Sequence, residues 1–287
     1  MIPSRRHLLA GGAASLVGGG ALAQDTPGLT LNGQWRQGGF AFGRTWPRAI
    51  IFVDGEALTA ASESGLFVVG FDRDAPVSVQ IEAHGPGGQT ARRTLDIARG
   101  RFASTVVNGL PSSTVEPSDP ALLARIQQQV LLKTEAFASR DATDDFRSGF
   151  DWPLATYRVT SQWGSQRVLN GTPARPHYGV DMAAPQGSVI RAPADGRVVL
   201  AQTGMHFEGG LTLIDHGQGL ITAYLHQSRI DVIAGQSVSR SQAIGRVGMT
   251  GRATGPHLCW RMKWRDRNLN PALMVGKRAP EAVYNQP

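Results

Sequence analysis

Among 287 residues there is one cysteine, Cys259. A single thiol cannot close an intrachain disulfide, so packing alone must hold the fold. Cys259 stands two residues after His257 in His257-Leu258-Cys259-Trp260, which makes it a better candidate ligand than a candidate crosslink. Charge is also sparse, at 18% against 41% hydrophobic residues, and this excludes an intrinsically disordered chain. Beyond the first two dozen residues no apolar run is long enough to span a bilayer. No basic-and-aromatic pattern argues for nucleic acid. What is plentiful is glycine, 35 residues, and proline, 17, the composition of a turn-rich, mainly β protein.

The N-terminus is read as a targeting segment. Ser4-Arg5-Arg6-His7-Leu8-Leu9 carries paired arginines, a Gly- and Ala-rich stretch follows, and Ala21-Leu22-Ala23 supplies an A-x-A cleavage site. Residues 1–23 resemble a bacterial twin-arginine export signal, with an ordinary secretory signal as the alternative. The expected location is the periplasm. Export in the folded state would let a metal load in the reducing cytoplasm, where a cysteine ligand is safe from oxidation. The formal net charge is +7, and without Arg5 and Arg6 it is +5. A basic exported protein suits an anionic polymer such as the cell wall, although a solvated basic surface gives the same number.

Three regions are expected after the signal. Residues 25–106 read as short strands between turns. Ala49 to Val53 is closed by the hairpin signal Asp54-Gly55, Leu66 to Phe71 is a second run, and Val77, Val79 and Ile81 alternate with polar neighbours. This spacing predicts an immunoglobulin-like β-sandwich. Residues 107–150 read as a helical linker. Asp119 is an N-cap before Pro120, Leu123, Ile126, Val130 and Phe137 recur at helical spacing, and Gln127-Gln128-Gln129 is assigned to the solvent side. Residues 151–287 return to strands and turns with almost no helical periodicity, an antiparallel β domain with long loops.

That last region holds the chemistry. It contains His177-Tyr178-Gly179-Val180-Asp181, Tyr224-Leu225-His226 and the His257–Cys259 stretch. Residues two apart on a strand face the same side, so His257 and Cys259 should share one surface and Leu258 and Trp260 the other. Gly179 would permit close backbone approach beside the first pair. A catalytic zinc takes three protein ligands and leaves a position for water. A base and an oxyanion donor complete such a site, and His177, Asp181, His226, His257 and Cys259 match it in number and type.

These motifs resemble the LytM-type M23 metallopeptidases, zinc endopeptidases of bacterial peptidoglycan. The resemblance covers roughly residues 153–272. It rests on His177 through Gly187, Ala194-Asp195-Gly196-Arg197-Val198, Ile214 through Gly219, Tyr224-Leu225-His226, Gly245 through Gly251 and Thr254 through Leu258. It implies His177 and Asp181 as zinc ligands, His226 and His257 as catalytic histidines, one Zn²⁺ per chain, and peptidoglycan stem peptides as partners, with other cell-wall enzymes as a further class. The third ligand position holds Cys259 where the family has histidine. A thiolate binds zinc well but would bring the site to net neutrality and weaken the metal as a Lewis acid. A raised pH optimum and a lower rate are expected, with turnover rising in Cys259→His. Arg167 and Asn170 are candidate substrate contacts, and His216 is expected to shape a turn. Two rival readings are a catalytically impaired M23 domain that regulates other wall hydrolases and a cysteine hydrolase with Cys259 as nucleophile.

Overall fold

Strict alternation of apolar and polar residues builds the first unit. In strands Ser78–His84 and Thr90–Asp96 every second side chain is buried, and the others face solvent or its edge. The computed structural model describes residues 28–280, and the expected export signal at 1–23 lies outside the described residues. Strands Thr30–Gln34, Phe40–Arg44 and Leu66–Gly70 form one antiparallel sheet. Ile50–Val53, Glu56–Ala60, Ser78–His84 and Thr90–Asp96 form a second. Phe40, Phe42, Phe67 and Val69 of the first meet Ile51, Val53, Ile81 and Leu95 of the second in one core, the sandwich that the sequence predicts. Asp54 and Gly55 both take positive φ, 51° and 84°, which closes the predicted two-residue hairpin.

Strand Leu66–Gly70 is buried on both faces, as is most of its partner Phe40–Arg44, unlike the alternating strands of the second sheet. It touches strands His257–Trp264 and Arg267–Leu269 of the C-terminal unit. Trp264, Leu269, Met262 and Leu220 therefore belong to the same buried cluster as the sandwich phenylalanines. The two units share a core rather than hanging on a flexible joint.

The connecting region is partly as expected. Strand Ser104–Val107 pairs in parallel with Gln166–Leu169. Helix Pro120–Phe137 starts at Asp119, whose carboxylate accepts from Leu122 N. Its orientation differs from the expectation. Leu123 and Val130 are 43% and 46% exposed, so only part of the apolar stripe that identified the helix faces the protein: Ile126 is half-buried and Phe137 packs against the Leu200 and Met205 cluster. Gln129, assigned to solvent, turns inward: its amide oxygen accepts from His206 N at 2.9 Å, and its NH₂ reaches Gly204 O. Lys133, four residues on, pairs with Glu208. The helix docks through polar contacts to strand Gly196–Met205 and the turn after it, and hydrophobic periodicity cannot report polar docking.

The C-terminal unit is antiparallel, as expected. Its main sheet has eight strands. Seven run in the order Ser237–Val238, Gly196–Met205, Gly209–Asp215, Leu220–Gln227, His257–Trp264, Gly179–Ala183 and Arg158–Ser161, and Arg267–Leu269 pairs beside His257–Trp264. Gly209–Asp215 and Leu220–Gln227 are buried throughout, because one face packs on the Val198–Trp260 core and the other on Met205, Leu211 and Leu225. The inner strands carry the site.

Candidate metal centre

Register places the ligand candidates. Ser161, Asp181 and Cys259 are cross-strand neighbours, so three strands set them in one row. Leu258 and Trp260 point into the core on the opposite face, as period two requires. His177 lies four residues before Asp181, and its Nε2 reaches 3.0 Å from Asp181 Oδ1 and 3.3 Å from Cys259 Sγ. One ligand atom each from His177, Asp181 and Cys259 lies within 4.8 Å of the others. Gly179 makes this approach feasible: a Cβ there would sit 2.7 Å from Cys259 Sγ and 2.9 Å from Arg261 Cγ.

The other two expected residues are adjacent. His226 and His257 have ring centroids 4.6 Å apart, and His257 Nε2 is 3.8 Å from Asp181 Oδ1. Each ring is anchored through Nδ1, His226 to Thr250 O at 2.8 Å and His257 to Gly255 O at 2.9 Å. A carbonyl can only accept, so both Nδ1 atoms carry a proton, and in the neutral ring the lone pair is on Nε2. His226 also holds a left-handed backbone, φ 65°, fixed by its N–H donating to Glu208 O. Such a conformation costs a non-glycine residue on the order of 1 kcal/mol or more and is met most often at functional positions.

These residues line a cleft of about 370 Å³ that also carries Arg167, Arg175, Arg252, Arg261 and Glu208. With that arrangement in view, residues 175–271 match the sequence profile of Peptidase family M23. This stretch carries the sequence pattern of that family. It resembles the peptidoglycan DD-endopeptidase ShyA of Vibrio cholerae, 40% identical over 115 residues, 40% of this chain and 26% of ShyA. The DD-carboxypeptidase/endopeptidase Mpg of Neisseria meningitidis is 37% identical over 129 residues, 45% of this chain and 29% of Mpg. The chain thus spans under a third of the length of these curated relatives. A crystal structure of a candidate M23 peptidase from Pseudomonas aeruginosa extends the likeness across both units, with a TM-score of 0.66 and 28% identity over 85% of this chain and 96% of that one.

The electrostatics of the cleft fit a cation. Asp181 Oδ1 is buried and makes no well-directed hydrogen bond, although His177 Nε2 is close. An acceptor left in that state is costly unless something positive meets it. Its other oxygen accepts from Arg167 Nη2 at 2.6 Å. Burial alone would push the carboxyl up, but His177 and then Arg167 outweigh it and hold Asp181 ionised, well below the usual carboxylate range. Burial drives His177 down to about 4 against the pull of Asp181, so its ring is neutral. His226 falls to about 3, by burial first and then by its neighbour His257. Burial, with the Asp181 charge, pushes the Cys259 thiol up to about 12. A nucleophilic cysteine needs the opposite shift, so the thiol suits a ligand that a bound cation would deprotonate. Imidazole, carboxylate and sulfur are a donor set that zinc accepts.

The two candidate substrate contacts separate. Arg167 lines the cleft but is committed to Asp181. Asn170 does not reach the cleft: its amide donates to Leu110 O at 2.7 Å and accepts from Leu110 N, bracing the connector. His216 has a structural place, fully buried between Asp195 O at 2.6 Å and Thr222 Oγ1 at 2.7 Å. Sequence reasoning passed over Ser161, whose hydroxyl lies 3.1 Å from His177 Nδ1, and Arg261, whose Nε donates to Cys259 Sγ at 3.4 Å. Extending the period-two argument by one more step, from Cys259 to Arg261, would have found the second.

Proposed function

We propose that this protein is an exported zinc endopeptidase that cleaves peptide cross-links of bacterial peptidoglycan. His177, Asp181 and Cys259 would hold the ion, and His226 and His257 would work on the reacting groups. One observation carries the reading: three chemically suitable ligand atoms lie within 4.8 Å of one another. When bound, zinc would supply a Lewis acid that brings the pKa of water from about 15.7 toward 7. The chain's own residues account for the rest. Thr250 O and Gly255 O hold His226 and His257 through Nδ1, so the Nε2 side of each ring is left for the reacting groups. A neutral imidazole there accepts a proton, and once charged it donates to the departing amine or steadies the oxyanion. Arg167 keeps Asp181 anionic and oriented. Arg175 and Arg252 add positive charge to the wall, which suits the carboxylates of stem peptides.

The names of ShyA and Mpg favour the D-Ala to diaminopimelate cross-link as the scissile bond over a glycine bridge. An export signal of the twin-arginine kind at residues 1–23 would deliver the folded protein to the periplasm. Elemental analysis should find one zinc per chain. A muropeptide digest should release uncrosslinked products, lose that activity on chelation and regain it with zinc. A protein that holds zinc yet leaves every cross-link intact would shift the assignment to a second reading, an impaired M23 domain that regulates other wall hydrolases. Two observations favour that alternative: the thiol at position 259, and a connector that closes on the cleft. Val107 and Leu110 line it, and Arg252 Nη1 donates to Thr114 O at 3.0 Å.

A further inference from the structure

The carboxylate and the sulfur of the cluster each have a guanidinium behind them. Arg167 Nη2 donates to Asp181 Oδ2 at 2.6 Å, and Arg261 Nε donates to Cys259 Sγ at 3.4 Å. The second contact is built into the sheet. Cys259 and Arg261 are two apart on strand His257–Trp264 and so share its site face. Arg261 pairs in register with Gly179, whose missing side chain leaves the space that both the sulfur and the arginine stem occupy. Arg261 lines the cleft wall, and its Nε makes this one hydrogen bond to the sulfur. The arginine is always charged and cannot be switched off by pH.

We infer that Arg261 is a positioning residue that fits a thiolate to this site. A carboxylate and a thiolate together cancel the charge of a divalent cation, which dulls it as a Lewis acid. A guanidinium hydrogen-bonded to the sulfur draws electron density away from it, and outer partners of this kind orient ligands and tune the metal. Arg261 thereby offsets the charge that Cys259 introduces. The cysteine and the arginine form one functional pair, and the reduced activity expected of a thiolate ligand is relieved by the residue two positions on. A histidine at position 259 would need room that Arg261 and Gly179 now bound, so Cys259→His alone would gain little turnover.

This inference rests on the zinc reading above, and the experiment separates the two. The full chain is loaded with cobalt(II), whose sulfur-to-metal charge-transfer band reports the thiolate bond, and the zinc form is measured by X-ray absorption. In Arg261→Met the band should move to longer wavelength and the metal–sulfur distance should shorten. Arg261→Lys, which keeps the charge, should move both less, and Arg261→Gln, which keeps a donor without charge, should behave nearly as Met. Circular dichroism and metal stoichiometry identify any variant that fails to fold, and the Lys and Gln forms then carry the comparison. A band and a bond unchanged across folded, metal-loaded variants would overturn the role of Arg261 while leaving the metal site standing. An unsubstituted protein with no sulfur band, or without stoichiometric metal, would instead sink the site itself.

Discussion

The two units of this chain are both antiparallel β structures, yet they spend burial differently. In the sandwich the buried positions are almost all apolar, and Arg93 is the one buried charged or polar side chain there among the described residues. The C-terminal unit buries His177, Asp181, Thr212, Asp215, His216, Thr222, His226 and Gln227. Desolvating such groups costs free energy even when they find partners. The contrast teaches that the sandwich, with its shared core, contributes stability, while the C-terminal sheet also buries polar groups, some at the site and some, such as His216, in structural hydrogen bonds.

The sharpest test of that contrast removes a ligand. His177→Ala should abolish metal retention and cross-link cleavage, with little loss of apoprotein stability, because it deletes a desolvated polar group. Metal analysis and a melting curve measured side by side decide it, and a large fall in apoprotein stability would erase the distinction between the units. The converse change is Phe42→Ala in the sandwich core, where the ring is fully buried and stacks on Phe146 at 5.4 Å. It should cost about 3–5 kcal/mol, read from urea unfolding. Because Trp264 and Leu269 lie in the same cluster, both units should unfold in one transition, and two separate transitions would show that the core is not shared in solution.

Acid should act on the peptidase unit. His216 is buried, and burial lowers its value to about 4 from an ordinary 6.5. The unfolded chain takes up a proton as pH falls through about 6.5, while the native ring stays neutral until about 4. Stability is therefore full above about 6.5, falls between 6.5 and 4, and is lost by up to about 3 kcal/mol for this one group. His216→Asn should be less stable at pH 8 but flatter across that window, and an unflattened profile would remove His216 as the cause. The smallest effect is expected in the connector. Asp119→Ala removes the N-cap of helix Pro120–Phe137 and should cost about 1 kcal/mol, seen as faster hydrogen exchange in its first turn. No change in exchange would mean that the polar docking, not the cap, holds the helix start.

Much of this was legible beforehand. Alternation marked the sandwich strands, Asp54-Gly55 marked its hairpin, and Asp119-Pro120 marked the helix start. The five residues of the candidate site were all identified from three short motifs, and the structure brings them together, with Asp181, His226, His257 and Cys259 lining one cleft and His177 buried against Asp181 and Cys259. The helix orientation was only partly legible: Phe137 packs inward as its period suggests, but Gln129 and Lys133 also dock the helix, and polar contacts leave no hydrophobic period. Asn170 was placed in the cleft because it precedes His177 in the chain, but its amide is held by a backbone 60 residues earlier.

By itself the sequence determined the local matters: which segments are strands, which side chains share a strand face, and which residue types could grip a cation. These follow from backbone geometry and donor chemistry, which are properties of neighbouring residues. Tertiary structure alone decided that Asp181 stands opposite Cys259, that Gly179 yields its space to Arg261, and that His226 takes a left-handed backbone between Glu208 and Thr250. Each depends on the register between strands far apart in the chain. Register is set by the packing of both sheet faces together, so no short stretch of residues contains it.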